Sequence, residues 1–213
     1  MQTDELIAHL SGGLEPVDGR EVMRILATGL ALGLLGSALL MALTIGVRPD
    51  ILDAMGGEAF WLKFLYTLAI AMLGLKLVER VGRPGTDATV PALLIAIPVL
   101  VLMAMMAMQV MPADGATRHT LLMGHSADVC SVLIAALALP LFGGLFWSLR
   151  RLAPTRLTQA GAAAGLLAGS AAATIYAFHC TESTATFIAI WYTAGIALTT
   201  GMGAALGRWM LRW

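Results

Sequence analysis

Apolar residues in this chain run in long blocks, with neither the alternation of a half-buried strand nor the narrow stripe of a soluble amphipathic helix. Residues 25–47, 88–113, 157–178 and 183–207 contain no Asp, Glu, Lys or Arg. Residues 120–149 are apolar apart from His125 and Asp128, and 60–78 hold only Lys63 and Lys76. Crossing the hydrocarbon core takes about 20 apolar residues. The pattern therefore predicts an all-α membrane protein, a bundle of six transmembrane helices. Lys63 and Lys76 sit near the ends of their block, where long side chains reach back to the interface.

Composition agrees. Of 213 residues, 59% are hydrophobic and 12% charged, where a soluble domain carries about 25% charge. With the N-terminus inside, the cytoplasmic segments receive Arg20, Arg24, Lys76, Arg80, Arg83, Arg150, Arg151, Arg156, Arg208 and Arg212, and the outside only Arg48, Lys63 and Arg118. This distribution predicts both termini in the cytoplasm. The first residues are acidic and no short apolar segment with a small-residue cleavage site precedes the first block, so the first span is expected to be an uncleaved anchor. Net charge is zero, which gives no case for direct nucleic-acid binding.

Residues 1–20 differ in character from the six-span domain of 21–213. Asp4, Glu5, Glu15 and Asp18 make this tail acidic. Thr3 is placed to cap a helix, with Asp4 and Glu5 in its first turn. Leu6, Ile7 and Leu10 share one face, and Gly12-Gly13 stops the helix. A helix of two to three turns is marginal alone in water and orders in a partner's groove. Its acidic face suits a protein with basic surface better than an anionic leaflet, which would repel it. Asp4, Glu5, Leu6, Ile7 and Leu10 are thus the candidate partner contacts.

The fifth block is built of small residues. Gly161, Gly165 and Gly169 recur at four-residue spacing, as Gly29/Gly33 and Gly203/Gly207 do elsewhere. Such spacing lets helix backbones approach closely in lipid and predicts a central fifth helix. Trp61, Trp147, Trp209 and Trp213 lie near span ends, as in an aromatic belt, whereas Trp191 lies deeper.

Candidate chemistry collects towards the outer face. His125, Ser126, Asp128 and Cys130 fall early in the fourth span, and His179, Cys180 and Glu182 at the turn between the fifth and sixth. Three readings of the two cysteines stand side by side: a disulfide or dithiol switch, permitted in an oxidising compartment; a soft-metal site drawing on His125, His179 and Glu182; or plain packing. On one straight helix His125 and Cys130 point about 140° apart, while His125 and Asp128 share a face. Asp128 would pair with His125, face the interior or be protonated, with a proton relay as one use for it. Met103, Met105, Met106, Met108 and Met111 suggest Cu(I) or simple hydrophobic filling. No nucleophile elbow, zincin motif, P-loop or CxxC is present, so the chain is expected not to be an enzyme and to need no cofactor. A small metal or solute transporter is the alternative, using Asp128, His125 and the methionines as a pathway.

Five short pieces carry a resemblance. They are Thr3-Asp4-Glu5-Leu6-Ile7; Gly46-Val47-Arg48-Pro49-Asp50; Gly124-His125-Ser126 followed by Cys130; His179-Cys180-Thr181-Glu182 followed by Trp191; and Leu211-Arg212-Trp213. In this order over nearly the whole length, they resemble the NrsF-type membrane anti-sigma factors, named for negative regulation of sigma F, an extracytoplasmic-function (ECF) sigma factor. The resemblance implies a bacterial inner-membrane protein that holds an ECF sigma factor inactive at the cytoplasmic face. Release would follow an envelope heavy-metal or oxidative signal, with Cys130 and Cys180 in the sensing role. No role carries over to Asp128.

Overall fold

The computed structural model describes residues 3–12, 19–83 and 85–212; the side chains of Asp4 and Leu10, and Gly13, Glu15, Asp18, Pro84 and Trp213, lie outside the described residues. The described residues are all-helical, with no strand. In chain order the helices are α1 (Thr3–Ser11), α2 (Gly19–Thr44), α3 (Ile51–Met55), α4 (Glu58–Val81), α5 (Thr89–Leu94), α6 (Ala96–Val110), α7 (Gly115–Met123), α8 (Ala127–Leu152), α9 (Leu157–Tyr176), α10 (Ala185–Phe187), a π-helical turn π1 (Ile188–Tyr192) and α11 (Thr193–Met210).

Five stretches are long and apolar enough to cross a membrane: Arg20–Thr44, Glu58–Val81, Thr89–Val110, Gly115–Leu152 and Ala185–Met210. The expected fifth span forms as α9, yet it is not among them. It is built largely of Gly, Ala and Ser, and most of it is buried inside the bundle. A helix sheathed by protein needs close contacts more than it needs large apolar side chains.

Small residues set those contacts. α9 lies along α11, where a Cβ on Gly165 would meet the Thr199 carbonyl and one on Gly161 the Gly203 carbonyl. α2 meets α8 in the same way. A Cβ on Gly29 would strike the Gly144 carbonyl, one on Gly33 would come within 2.8 Å of Leu141 Cα, and Ser148 Oγ donates to the Ile25 carbonyl at 2.9 Å. α4 closes on the other flank of α9 through a hydrogen bond between Thr67 and Thr174 at 2.9 Å. The core runs along α8 and α9, from Leu141, Leu145 and Leu149 up to Tyr176 and Tyr192.

Two expectations are corrected. The block 120–149 is not one straight helix: Gly124 takes φ 53°, and α7 and α8 meet there at a break. A Cβ on Gly124 would also come within 2.6 Å of Phe187 and 2.7 Å of the Glu182 carboxylate, so both backbone conformation and space demand glycine. Lys63 does not reach for an interface. It is 1% exposed and points into the bundle.

Candidate functional site

The loop between α9 and α10 builds the site. It leaves α9 at Tyr176 and regains helix at Ala185, where Thr184 Oγ1 caps α10 by accepting from Phe187 N at 3.2 Å. Cys180 and Glu182 within it are buried. A non-helical segment buried among apolar helices must have its peptide groups satisfied by protein. Lys63 does this: its Nζ donates to the Cys180 carbonyl at 2.6 Å and to the Glu182 carbonyl at 2.9 Å. Arg48 adds Nη1 to the Cys180 carbonyl at 3.3 Å, and its backbone N donates to the Phe178 carbonyl at 3.1 Å.

The Glu182 side chain turns towards the α7–α8 break. Its Oε1 accepts from His125 N at 2.6 Å and from Ser126 Oγ at 3.3 Å. The His125 ring, 91% exposed, stands 3.7 Å away through Nδ1. The break at Gly124 thus creates a backbone donor, and the loop supplies the buried carboxylate that takes it. His125 pairs with Glu182 rather than with Asp128, which is exposed in the first turn of α8, where a carboxylate is favoured by the helix dipole. The expected interior Asp128 is therefore corrected.

Cys130 and Cys180 are both buried, and both thiols are free. The turn back into the bundle places Cys180 in the same buried core cluster as Cys130. Two tyrosines complete the cluster, their rings 5.8 Å apart. The Tyr176 hydroxyl neighbours Cys130. The Tyr192 hydroxyl, at the end of the π-helical turn, is buried without a conventional hydrogen-bond partner and has the Cys180 thiol as its polar neighbour. Such turns are common where a side chain must be re-aimed at a site.

Outside the spans, Arg48 and Asp50 form a two-pronged pair at 2.8 and 2.6 Å. The guanidinium beside it pulls the Asp50 carboxyl down to about 2 and so holds Arg48 over the loop.

The proposed metal ligands are not gathered. His179 Nδ1 is 2.9 Å from the Gly46 carbonyl, away from the His125–Glu182 contact, and no group of three or more His, Cys, Asp or Glu among the described residues is placed to hold an ion. Met103, Met105 and Met106 pack against the core while Met108 and Met111 are exposed, so the methionine run is split between faces. In the tail, Leu6 and Ile7 are exposed, as is Glu5.

Sequence reasoning missed Lys63, Tyr176 and Tyr192. A lysine three residues inside an apolar block was the available signal, because an ionisable group within a span marks a site by default.

Fold and site together define an all-helical protein with the helix lengths and apolar faces of a membrane protein, carrying a buried polar loop clasped around two thiols. The family model described as negative regulator of sigma F (NrsF) matches residues 10–213. The chain is 38% identical to the probable anti-sigma-F factor NrsF of Azospira oryzae and 36% identical to the anti-sigma-F factor NrsF of Caulobacter vibrioides, each over the whole of both chains. No solved structure gives a significant match. The chain belongs to the NrsF family of negative regulators of sigma F, a family of regulators and not of enzymes.

Proposed function

We propose that this protein is a bacterial inner-membrane anti-sigma factor that holds an ECF-type sigma factor at the cytoplasmic face. Release follows a heavy-metal or oxidative signal received near Cys130 and Cys180. The chain crosses the bilayer six times, with α9 as the sheathed fifth crossing and both termini in the cytoplasm. Support comes from the relatives' names and from the basic residues grouped on the side of the α4–α5 and α8–α9 turns.

The observation that carries the reading is α1. It makes no substantial contact with any other helix among the described residues, yet it leaves Leu6 and Ile7 exposed on a helix with Asp4 and Glu5 in its first turn. A short helix with exposed apolar residues and adjacent acids is built to dock in a partner's groove with a basic rim. Leu6, Ile7 and Leu10 enter the groove; Asp4 and Glu5 meet its rim. The protein itself contacts no nucleic acid.

Co-purification from gently solubilised membranes tests this. A sigma factor should accompany the wild type and be lost with Leu6→Asp/Ile7→Asp. Retention in that variant moves the interface to the Arg80 and Arg150 turns, and absence of any sigma factor from the wild type sinks the reading. Reporter fusions at residue 1 and residue 213 check the orientation: both must report cytoplasm.

A further inference from the structure

On the face that bears Arg83 and Arg156 the bundle is split. α5 and α6 are held by α4 and, at the far end, by α7, α10 and π1; they make no substantial contact with α9 or α11 among the described residues. A cavity of about 680 Å³ occupies the split, within the 300–1,000 Å³ range of ligand sites. It is amphipathic. Leu77 of α4, Ala92 of α5, and Ala162, Ala163 and Leu166 of α9 form an apolar floor, and Arg83 and Arg156 stand at its mouth.

One carboxylate, Asp87, lines the cleft itself. Asp87 accepts from Thr89 N at 2.9 Å and Thr89 Oγ1 at 2.6 Å, capping α5. Glu79 is shared between Lys76 at 3.3 Å and Arg83 at 3.1 Å. Arg156 is exposed and has one long bond, to Gln159 Oε1 at 3.4 Å.

The floor offers water few hydrogen-bonding partners, and its apolar side chains gain dispersion contacts from hydrocarbon laid against them. Beside membrane-crossing helices an acyl chain is the apolar filler at hand. The mouth selects its headgroup. Two guanidiniums against the one carboxylate in the lining, Asp87, leave the mouth net cationic, which favours a phosphate and disfavours the ammonium of a zwitterionic lipid, and Arg156 offers the phosphate its forked donors. We propose that this cleft holds one anionic phospholipid, its phosphate taken by Arg156 beside the Arg83–Glu79 pair and an acyl chain laid along the α9 floor. The lipid wedges the third crossing apart from α9 and α11, and the inference holds whichever side of the membrane this face occupies.

Native mass spectrometry of the full chain in a neutral detergent tests it, using phosphatidylglycerol, phosphatidylcholine with the same acyl chains, and inorganic phosphate as probes. One phosphatidylglycerol per chain should be retained about fivefold better than phosphatidylcholine. Arg156→Ala should erase that preference, and Ala162→Phe, which fills the floor, should remove the bound lipid. Arg208→Ala, outside the cleft lining, should change nothing. Equal retention of the two lipids by the wild type overturns the proposal. So does inorganic phosphate binding with the same dependence on Arg156, which would make this a small-anion site, or a dimer that Ala162→Phe dissociates, which would make the occupant a second copy. If Ala162→Phe fails to fold, as judged by its melting, the exposed Arg156→Ala decides alone.

Discussion

Lys63 is the residue on which the buried loop depends. An ammonium taken out of water costs several kcal/mol and is tolerated only when its donors are used. Here the acceptors are two loop carbonyls, so charge and loop satisfy each other's need. Lys63→Met keeps the apolar stem and removes the donors. The Cys180 carbonyl retains its longer bond from Arg48, but the Glu182 carbonyl loses the donor it has in this structure. Leaving a buried acceptor unmet costs about 1–3 kcal/mol. Lys63→Met should therefore lower the unfolding free energy in micelles by that amount and raise amide exchange selectively over 179–184. Unchanged exchange there would refute the role. Lys63→Arg is no substitute, because a planar fork does not reproduce the ammonium's directions. Arg48–Asp50 carries a second prediction. Since the folded carboxyl lies at about 2, below its ordinary value near 3.9, the pair's contribution is present above pH 4 and is lost as pH falls through about 2. The Asp50 carboxyl ¹³C shift should titrate there, and Arg48→Ala should return it to the ordinary carboxylate range.

At the scale of elements, the spacing of small residues makes a signed prediction. Gly165→Ala sets a methyl against the Thr199 carbonyl, and backbone cannot step aside as a side chain can. Overpacking of this kind costs about 1–3 kcal/mol. Gly201→Ala, on the facing helix α11, meets open space and should be neutral or gain up to about 1 kcal/mol from helix propensity. Thermal melts of the two variants should move in opposite directions, or at least well apart. This contact was legible in the sequence because glycines four apart on three blocks have one common physical use. The long helices were legible for a similar reason: a bilayer imposes length and excludes charge, and both can be read without knowing any neighbour. The break between α7 and α8 was not legible, since Gly124-His125-Ser126 interrupts neither the length nor the apolarity of its block. Lys63 was misread because its distance from the span end is a property of sequence, whereas the loop that bends inward to meet it is a property of tertiary packing. The depth of Cys180 was hidden for the same reason: a four-residue connection between the two blocks reads as a hairpin on the surface until its carbonyls find a buried donor.

For the whole molecule, the arrangement that matters is convergence. Cys130 belongs to α8, Cys180 follows α9, Tyr192 ends π1, which leads into α11, and Lys63 comes from α4, so the four helices of the core meet at one polar cluster. A soft ion or an added oxygen at either thiol has no free volume to enter, because Cys130 is 0% and Cys180 3% exposed. Close-packed interiors pass such a change to their neighbours. Modification must therefore move at least one of these helices, and α9 and α11 run from the cluster to the opposite face in backbone contact with each other. If that movement weakens sigma-factor binding, the coupling is reciprocal by necessity: the sigma factor must weaken soft-metal binding at the thiols by the same factor. The test uses protein in micelles with the sigma factor that co-purifies with it. The affinity for sigma is measured with and without Hg(II), and the affinity for Hg(II) with and without sigma. Equal ratios, on the order of 5- to 150-fold as for most coupled sites, should appear in the wild type and collapse to unity in Cys130→Ala/Cys180→Ala. That variant should still bind sigma, because α1 is untouched. A mercury effect that survives loss of both cysteines would place the sensor elsewhere. Unequal ratios would mean that mercury denatures the bundle instead of switching it.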